Sequence, residues 1–448
     1  MQMKNRSAAI IMTTLTLAAC GNQVDEKTEL AGTPIVGSVN MRSATVWMQL
    51  SNSASNSVHV LVMDSALNSV GHYEVEDLGT SNNCLSRIDG LEPGTTYSYL
   101  VQSGTQTLSD TLFITTQTLW QYRTDPPSVR IALGSCAYIN EPAYDRPGEP
   151  YGGGYEIFET MAADGFDAMF WLGDNVYLRE ADFGSYSGYV HRYNHTRSTP
   201  ELQTLLSHGV HYAVWDDHDY GPNNCDGSYS NKALARKAFN AYWPNPTGGV
   251  AAAPELNTTS FAFADAEVFL LDNRTHRVND GMGEGKRQMF GKIQLEWLLN
   301  NLKNSRAPFK LIAVGGQVVS DAAIYENFAQ FPEEREWLLS ELDRLNIKGA
   351  VFLSGDRHSS ELSKLQLDNG NWVYDLTVSP LTSGSYDHSE EPNTLRVPGT
   401  MVGERNYGML EISGPRKDRT LRMQIKSAQG ALIWEQSIST ADGYILAP

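Results

Sequence analysis

The sequence predicts an α/β domain with covered sheets, preceded by a small all-β sandwich. Three observations predict it. From about residue 31 to 117, apolar and polar residues alternate with no helical period. Beyond residue 128, short β-rich apolar runs alternate with amphipathic helical stretches, the pattern of sheets covered by helices. Between the two, QTLWQYRTDPPS carries Pro126 and Pro127, which forbid regular pairing and mark a linker over 118–128. A chain of 448 residues, 41% hydrophobic, is long enough for two or three such cores.

The elements follow in order. Lys4 and Arg6 open a positive stretch, residues 8–19 are apolar, and the run closes on LAAC with Cys20 last. That is the pattern of a secretory signal over 1–19. LAAC resembles the lipobox of bacterial lipoproteins, which implies cleavage before Cys20 and lipidation of its thiol; an ordinary signal peptide with an incidental cysteine is the alternative. Gly21 in place of Asp implies, in the lipoprotein sorting pattern, the outer membrane rather than retention at the inner one. The expected location is outside the inner membrane, lipid-anchored at the outer membrane or in the periplasm. A polar tether covers 20–30, and the sandwich covers 31–117, with ATVWMQL and VHVLVM as strands. LEPGTTYSYLV (91–101) resembles the strand-F corner of fibronectin type III and immunoglobulin-like domains, with Tyr97 placed to bond back to backbone. Any small Greek-key sandwich would serve equally as a spacer.

In the region 129–448, VRIAL, DAMFWL, YAVW, VFLLD, FKLIAV and AVFLS read as buried strands. YEIFETMAAD (155–164), NKALARKAFNAYW (231–243), QLEWLLNNLK (294–303) and PEEREWLLSELDRLN (332–346) read as helices. The last begins on Pro332 with Glu333 and Glu334 in its first turn, a favourable N-terminus. From about 407 the alternation returns and adds antiparallel strands.

The formal charge is −18; without residues 1–19, 32 basic and 52 acidic residues leave −20. Such a surface lacks the basic footprint of a nucleic-acid-binding protein, and it repels free phosphate esters at long range. Chemistry on phosphate then needs local positive charge, which bound metal ions supply. Four cysteines are too few for a disulfide framework, although a Cys84–Cys225 bridge is open in an oxidising compartment.

Four motifs end four of the expected strands: LGSC (133–136), LGDNVY (172–177), VWDDHDY (214–220) and LSGDRH (353–358). Carboxyl ends of strands in an α/β fold share one edge, where ligands bind. Asp174, Asp217, Asp219 and Asp356 cannot all ionise in one cleft without cations, and hard metals are the natural compensation. Tyrosine, with a pKa near ~10, serves as a ligand only to a strong Lewis acid. Fe(III) meets that demand, and Cys136 suits the same ion. Each motif alone is more simply structural; their joint occurrence at strand ends is not.

GSC, GDxxY, WDDHD and SGDxH, in that order, resemble the metal-binding set of the alkaline phosphatase D (PhoD-like) family. The resemblance implies a two-sheet αββα metallophosphoesterase domain behind a sandwich. It implies one Fe(III) with one or two Ca(II) ions, and hydrolysis of phosphomonoesters or phosphodiesters by metal-activated water. It further implies Cys136, Tyr177 and His358 on the iron, Asp174 bridging, Asp217 and Asp356 on the second metal, and His218 as general acid. A phosphate-ester substrate, a membrane contact through Cys20 and a monomeric state complete the expectation. A surface-anchored binding protein on a non-catalytic scaffold, or a phospholipase-type phosphodiesterase, are the alternatives.

Weaker candidates remain. Gln317 of AVGGQ is either a carbonyl ligand or a group bonded to a ligand. Asn223 could ligate a further cation or form the turn begun by Gly221 and Pro222. Arg274 could bind a phosphate oxygen or pair with an acid. Arg179 and Glu180 could reach the cleft. His191 and His195, at i,i+4 spacing, read as helix-surface residues. Loops 138–151, 273–292 and 382–403 are expected to rim the cleft.

Overall fold

The computed structural model describes residues 28–52, 58–79, 81–279, 281–282 and 287–447. The signal over 1–19, Cys20 and most of the 20–30 tether lie outside the described residues. Among the described residues no helix is long and apolar enough to cross a membrane.

Eight strands come first: β1 (Ile35–Val39), β2 (Ala44–Gln49), β3 (Val58–Met63), β4 (Ser69–Asp77), β5 (Asn83–Ile88), β6 (Thr96–Ser103), β7 (Gln106–Thr107) and β8 (Leu112–Thr115). All pair antiparallel, in the order β1-β2-β5-β4-β3-β6-β7, with β8 also on β6. Val58, Val60 and Val62 point inward and their neighbours outward, as period-two patterning demands. The two halves share β4, whose start pairs with β3 and whose last three residues pair with β5. The Tyr97 hydroxyl accepts the Glu92 amide at 2.9 Å, so the expected tyrosine corner is formed.

Twelve strands follow: β9 (Val129–Gly134), β10 (Ala168–Leu172), β11 (Val210–Val214), β12 (Thr259–Phe263), β13 (Ala266–Leu270), β14 (Lys310–Ala313), β15 (Ala350–Ser354), β16 (Glu361–Gln366), β17 (Trp372–Thr377), β18 (Asn406–Ser413), β19 (Thr420–Ser427) and β20 (Leu432–Ser439). The helices are α1 (Glu156–Asp164), α2 (Tyr186–Arg197), α3 (Pro200–Leu206), α4 (Asp217–Tyr220), α5 (Lys232–Tyr242), α6 (Lys292–Asn304) and α7 (Pro332–Arg344). They build two six-stranded sheets, β11-β10-β9-β18-β19-β20 and β12-β13-β14-β15-β17-β16.

Side-chain alternation sets the layers. Leu133, Phe170, Leu311 and Leu353 share one core between the two sheets. Their neighbours Ala132, Met169 and Trp171 face outward against α1, α2 and α5. Phe269, Ile312 and Phe352 face the other way, against α6 and α7. The result is helix, sheet, sheet, helix. The expected strands and four expected helices stand within a few residues of their sequence bounds. β12, β16, β17 and α3 were not legible, since ELSKLQ in β16 mixes periods and α3 is only seven residues long. Cys84 and Cys225 are both free. Cys84 lies buried in β5 of the sandwich and Cys225 beside the cleft of the second unit, which corrects the bridge that arithmetic allowed.

The sandwich docks on the outer side of the first sheet. The Trp47 indole N–H donates to the Ala241 carbonyl at 2.7 Å. The Arg197 guanidinium lies 4.3 Å above the Trp47 ring and 4.7 Å from that of Trp243. Arg419, buried, donates to the carbonyl of Pro127 and to Asp265, which pins the linker to the second unit.

Candidate metal centre

β9, β10 and β11 are parallel and end on one edge, and β15 of the other sheet ends beside them. Each hands its chain to a sharp turn. Cys136, Asp174, Asp356 and His358 all take positive φ, at 58°, 52°, 68° and 55°, a region non-glycine residues rarely occupy. Close backbone approach makes the edges meet. A Cβ on Gly173 would stand 2.7 Å from Asp216 Cβ, and one on Gly355 would collide with the Leu172 carbonyl oxygen.

The turns bring three overlapping groups of donors together: Cys136, Asp174 and His358; Asp174, Asp217 and His218; Asp216, Asp217 and Asp356. Within each group one ligand atom per residue lies within 4.8 Å of the others. Asp174 belongs to the first two and Asp217 to the last two, so the groups form one continuous cluster. The Tyr177 hydroxyl sits 3.2 Å from Asp174 Oδ2 and 3.1 Å from His358 Nε2. The Ser379 hydroxyl donates to Cys136 Sγ at 3.1 Å. His218 donates its backbone N–H to Asp174 Oδ1, and its ring lies 4.2 Å from that of Tyr177.

The electrostatics are those of anions held too close. Burial, then the charges of Asp217 and Cys136, push Asp174 well above the usual carboxylate range. Burial, then Asp216 and Glu326, do the same to Asp356. Burial pushes the Cys136 thiol up to about 12 and the Tyr177 phenol up as well. Burial would also raise Asp217, but the His218 and Arg274 charges and the Asn224 N–H hold it below its ordinary value. Burial lowers His358 to about 4. Asp216 Oδ2 and Asp217 Oδ1 are buried with no hydrogen-bond donor. A buried carboxylate oxygen without a donor is costly, and a cation would satisfy both. A thiol, a phenol, an imidazole and carboxylates around Asp174, with carboxylates alone around Asp217 and Asp356, fit a softer and a harder metal site.

Seven sequence candidates meet here: Cys136, Asp174, Tyr177, Asp217, His218, Asp356 and His358. The others do not. Arg274 is fully buried and forked on Glu326, with both bonds at 2.8 Å. It also pairs with Asp216, so its donors are spent on protein carboxylates rather than open to phosphate. Arg179 is likewise committed, to Asp145 at 2.7 Å and to the carbonyls of Ile139 and Tyr177. Gln317 gives its amide nitrogen to Glu361 and Thr377, which anchors its loop to β16 and β17. Asn223 is exposed and bonds the neighbouring Asn224 side chain, while the Asn224 backbone N–H reaches Asp217 Oδ2 at 2.7 Å. Asp219 accepts the N–H groups of Asn175, Val176 and Asp216 and so braces two strand ends. Arg179 and Glu180 do reach the cleft, lining the cavity above the cluster as Asn223 also does, and Glu180 pairs there with Arg146.

Sequence reasoning missed Asp216 and Glu326 as members of the site. Asp216 was signalled by its place in WDDHD; Glu326, in YENF, carries no local signal. It also missed Tyr151, whose hydroxyl lies 3.0 Å from His358 Nδ1. A cavity of about 1130 Å³ opens over the cluster, and loops 138–151 and 382–403 supply part of its lining. No described residue of 273–292 lines it, which corrects the expectation for that loop; its described residues hold Arg274 and Arg277 on Glu326 instead.

A family model described as PhoD-like phosphatase matches residues 131–412. The alkaline phosphatase D of Bacillus subtilis (strain 168) is 24% identical over an alignment of 332 residues that covers 62% of this chain and 54% of that protein. The chain thus spans about half the length of that curated relative. A solved structure described as the structure of PhoD shares the fold with a TM-score of 0.71, at 18% identity over 91% of this chain and 89% of the other.

Proposed function

The chain belongs to the PhoD-like phosphatase family, and from that membership we propose that it is a metal-dependent phosphoric ester hydrolase. The observation that carries the reading is the continuous cluster of ligating groups, with two orphaned carboxylate oxygens, at the base of a cavity. Cys136, Tyr177 and His358 would hold an iron ion, with Asp174 between it and a calcium site on Asp217 and Asp356. When bound, the ions supply positive charge at the phosphoryl oxygens and lower the pKa of water in the cleft.

The chain's own residues do the rest. Arg274 balances Asp216 and Glu326 and keeps that side of the cluster rigid. His218, with its ring partly open to the cavity and Nε2 4.0 Å from Asp217 Oδ2, protonates the departing ester oxygen. Burial lowers the pKa of its ring, and the Asp217 charge opposes that fall. Phosphomonoesters and phosphodiesters present the same phosphoryl group to this cluster. The protein acts beyond the inner membrane, anchored through Cys20.

Metal analysis of protein purified from periplasm or envelope, paired with hydrolysis of para-nitrophenyl and bis-para-nitrophenyl phosphate, tests this. Iron and calcium should copurify. Asp174→Ala and Asp356→Ala should lose at least about a hundredfold in kcat/KM. Tyr177→Phe should remove visible phenolate-to-iron absorption. Protein that hydrolyses neither ester after metal loading overturns the reading, and turnover with zinc alone overturns the iron assignment.

A further inference from the structure

The cavity has an aromatic side that the chemistry above does not use. The planes of His358 and Tyr386 lie 13° apart with centroids at 5.8 Å. Tyr386 and His388 lie 14° apart at 6.1 Å, and His388 and Tyr325 28° apart at 6.2 Å. The His358, Tyr386 and His388 rings therefore run nearly parallel from a residue of the metal cluster outward, and Tyr325 follows at a 28° tilt. Tyr386 is 49% exposed and Tyr325 63%, a high figure for large rings lining a cavity. Tyr325 stands at φ 48°, a conformation a bulky residue adopts only when its surroundings impose it. Its ring is held from one side by the Arg357 guanidinium, 4.7 Å from the centroid. A second hollow of about 610 Å³ shares Tyr325 and His388 as lining.

Ring spacings of 4.5–7 Å are those of offset stacking. A flat group entering along these planes meets aromatic faces already in register. Lining and net charge disfavour an acyl chain and a polyanion. Leu178 and prolines are the main aliphatic lining, too little for an acyl chain. The net charge of −18 disfavours a polyanion.

We propose that this aromatic wall is a specificity subsite that takes the alcohol substituent of a small phosphate ester as a flat aromatic ring, of the aryl or nucleoside class. The proposal rests on the phosphatase reading, since the phosphoryl group at the cluster is what places the ring on the wall.

The test uses the metal-loaded protein and two matched pairs. Benzylphosphonate and cyclohexylmethylphosphonate differ in ring planarity and are not ester substrates; their binding is read by titration calorimetry. Adenosine 5′-monophosphate and ribose 5-phosphate differ by the base; their hydrolysis is read by phosphate release. Benzylphosphonate should bind about tenfold tighter than its saturated partner. Tyr386→Leu and Tyr325→Leu should each erase most of that ratio, and Tyr386→Phe should keep it. A matching preference for the adenosine ester assigns the nucleoside class; its absence beside the benzyl preference assigns the aryl class. Equal binding of the two phosphonates, or a ratio that survives both leucine variants, overturns the subsite. Binding without turnover of any ester would instead overturn the hydrolase reading and leave the subsite standing as a ligand site.

Discussion

Cys136, Asp174, Asp356 and His358 hold positive φ, and all four also hold ionisable groups against one another away from water. Each such backbone conformation costs about 1–3 kcal/mol, and short backbone bonds hold it in place. Ala137 donates to the Asp174 carbonyl at 2.9 Å, and His358 donates to the Ser379 hydroxyl at 2.9 Å. Without metal the cluster is therefore a destabilised part of the fold. Asp356→Asn removes a like charge and keeps a residue that tolerates this φ. In chelator at pH 8 it should raise Tm by several degrees, while abolishing turnover; an unchanged or lower Tm would deny the repulsion.

The same groups set a pH dependence. Burial raises Asp174 and Asp356 well above 3.8 and Asp219 to about 8. Carboxylates with raised pKa values bind more protons when folded, so stability falls as pH climbs through those values. His211, lowered by burial to about 3, and His358, lowered to about 4, act oppositely, but only below their ordinary 6.5. Between pH 7 and about 8.5 the histidines are past their range; Lys310, lowered by burial to about 8, opposes the carboxylates, while the raised Cys136 thiol adds to them, and the three carboxylates outnumber the one lysine. The urea midpoint of chelated protein should fall across that window, and metal loading should remove the fall.

At the scale of elements, α2 is the device that shapes the cleft rim. Glu141 of the 138–151 loop accepts a bond from His191 at 3.0 Å and forms an ion pair with Arg192 at 2.8 Å, and His195 donates to the Asn140 carbonyl. Arg179 holds Asp145 of the same loop. Glu141→Ala should loosen the rim and lower kcat/KM about tenfold with metal content unchanged; a matching loss of metal would place the defect in the cluster instead. The i,i+4 spacing of His191 and His195 was readable as one helix face. Their use was not, because Glu141 lies 50 residues upstream in a loop with no period of its own. Strands such as AVFLS were legible to the residue, since a fully buried parallel strand is a continuous apolar run cut off by its functional turn.

Across the whole molecule, two sheets sandwiched between helices carry the cluster on their joined edges, and the N-terminal sandwich leans on the first sheet through Trp47, 3% exposed. Trp47→Ala should cost about 3–5 kcal/mol and split a single calorimetric transition into two; one unsplit transition would mean the units are coupled by other contacts. What the amino-acid sequence determined by itself was the order and type of most elements and seven of the converging site residues. Apolar period is a local property, and ligating residues mark themselves by ending apolar strands. The fates of Arg274, Arg179 and Gln317 were decided only by the tertiary structure. Arg274 meets Glu326 52 residues away, and Gln317 meets Thr377 60 residues away. A buried polar group takes whichever partner the packed sheets place within reach, and no local pattern records that distance.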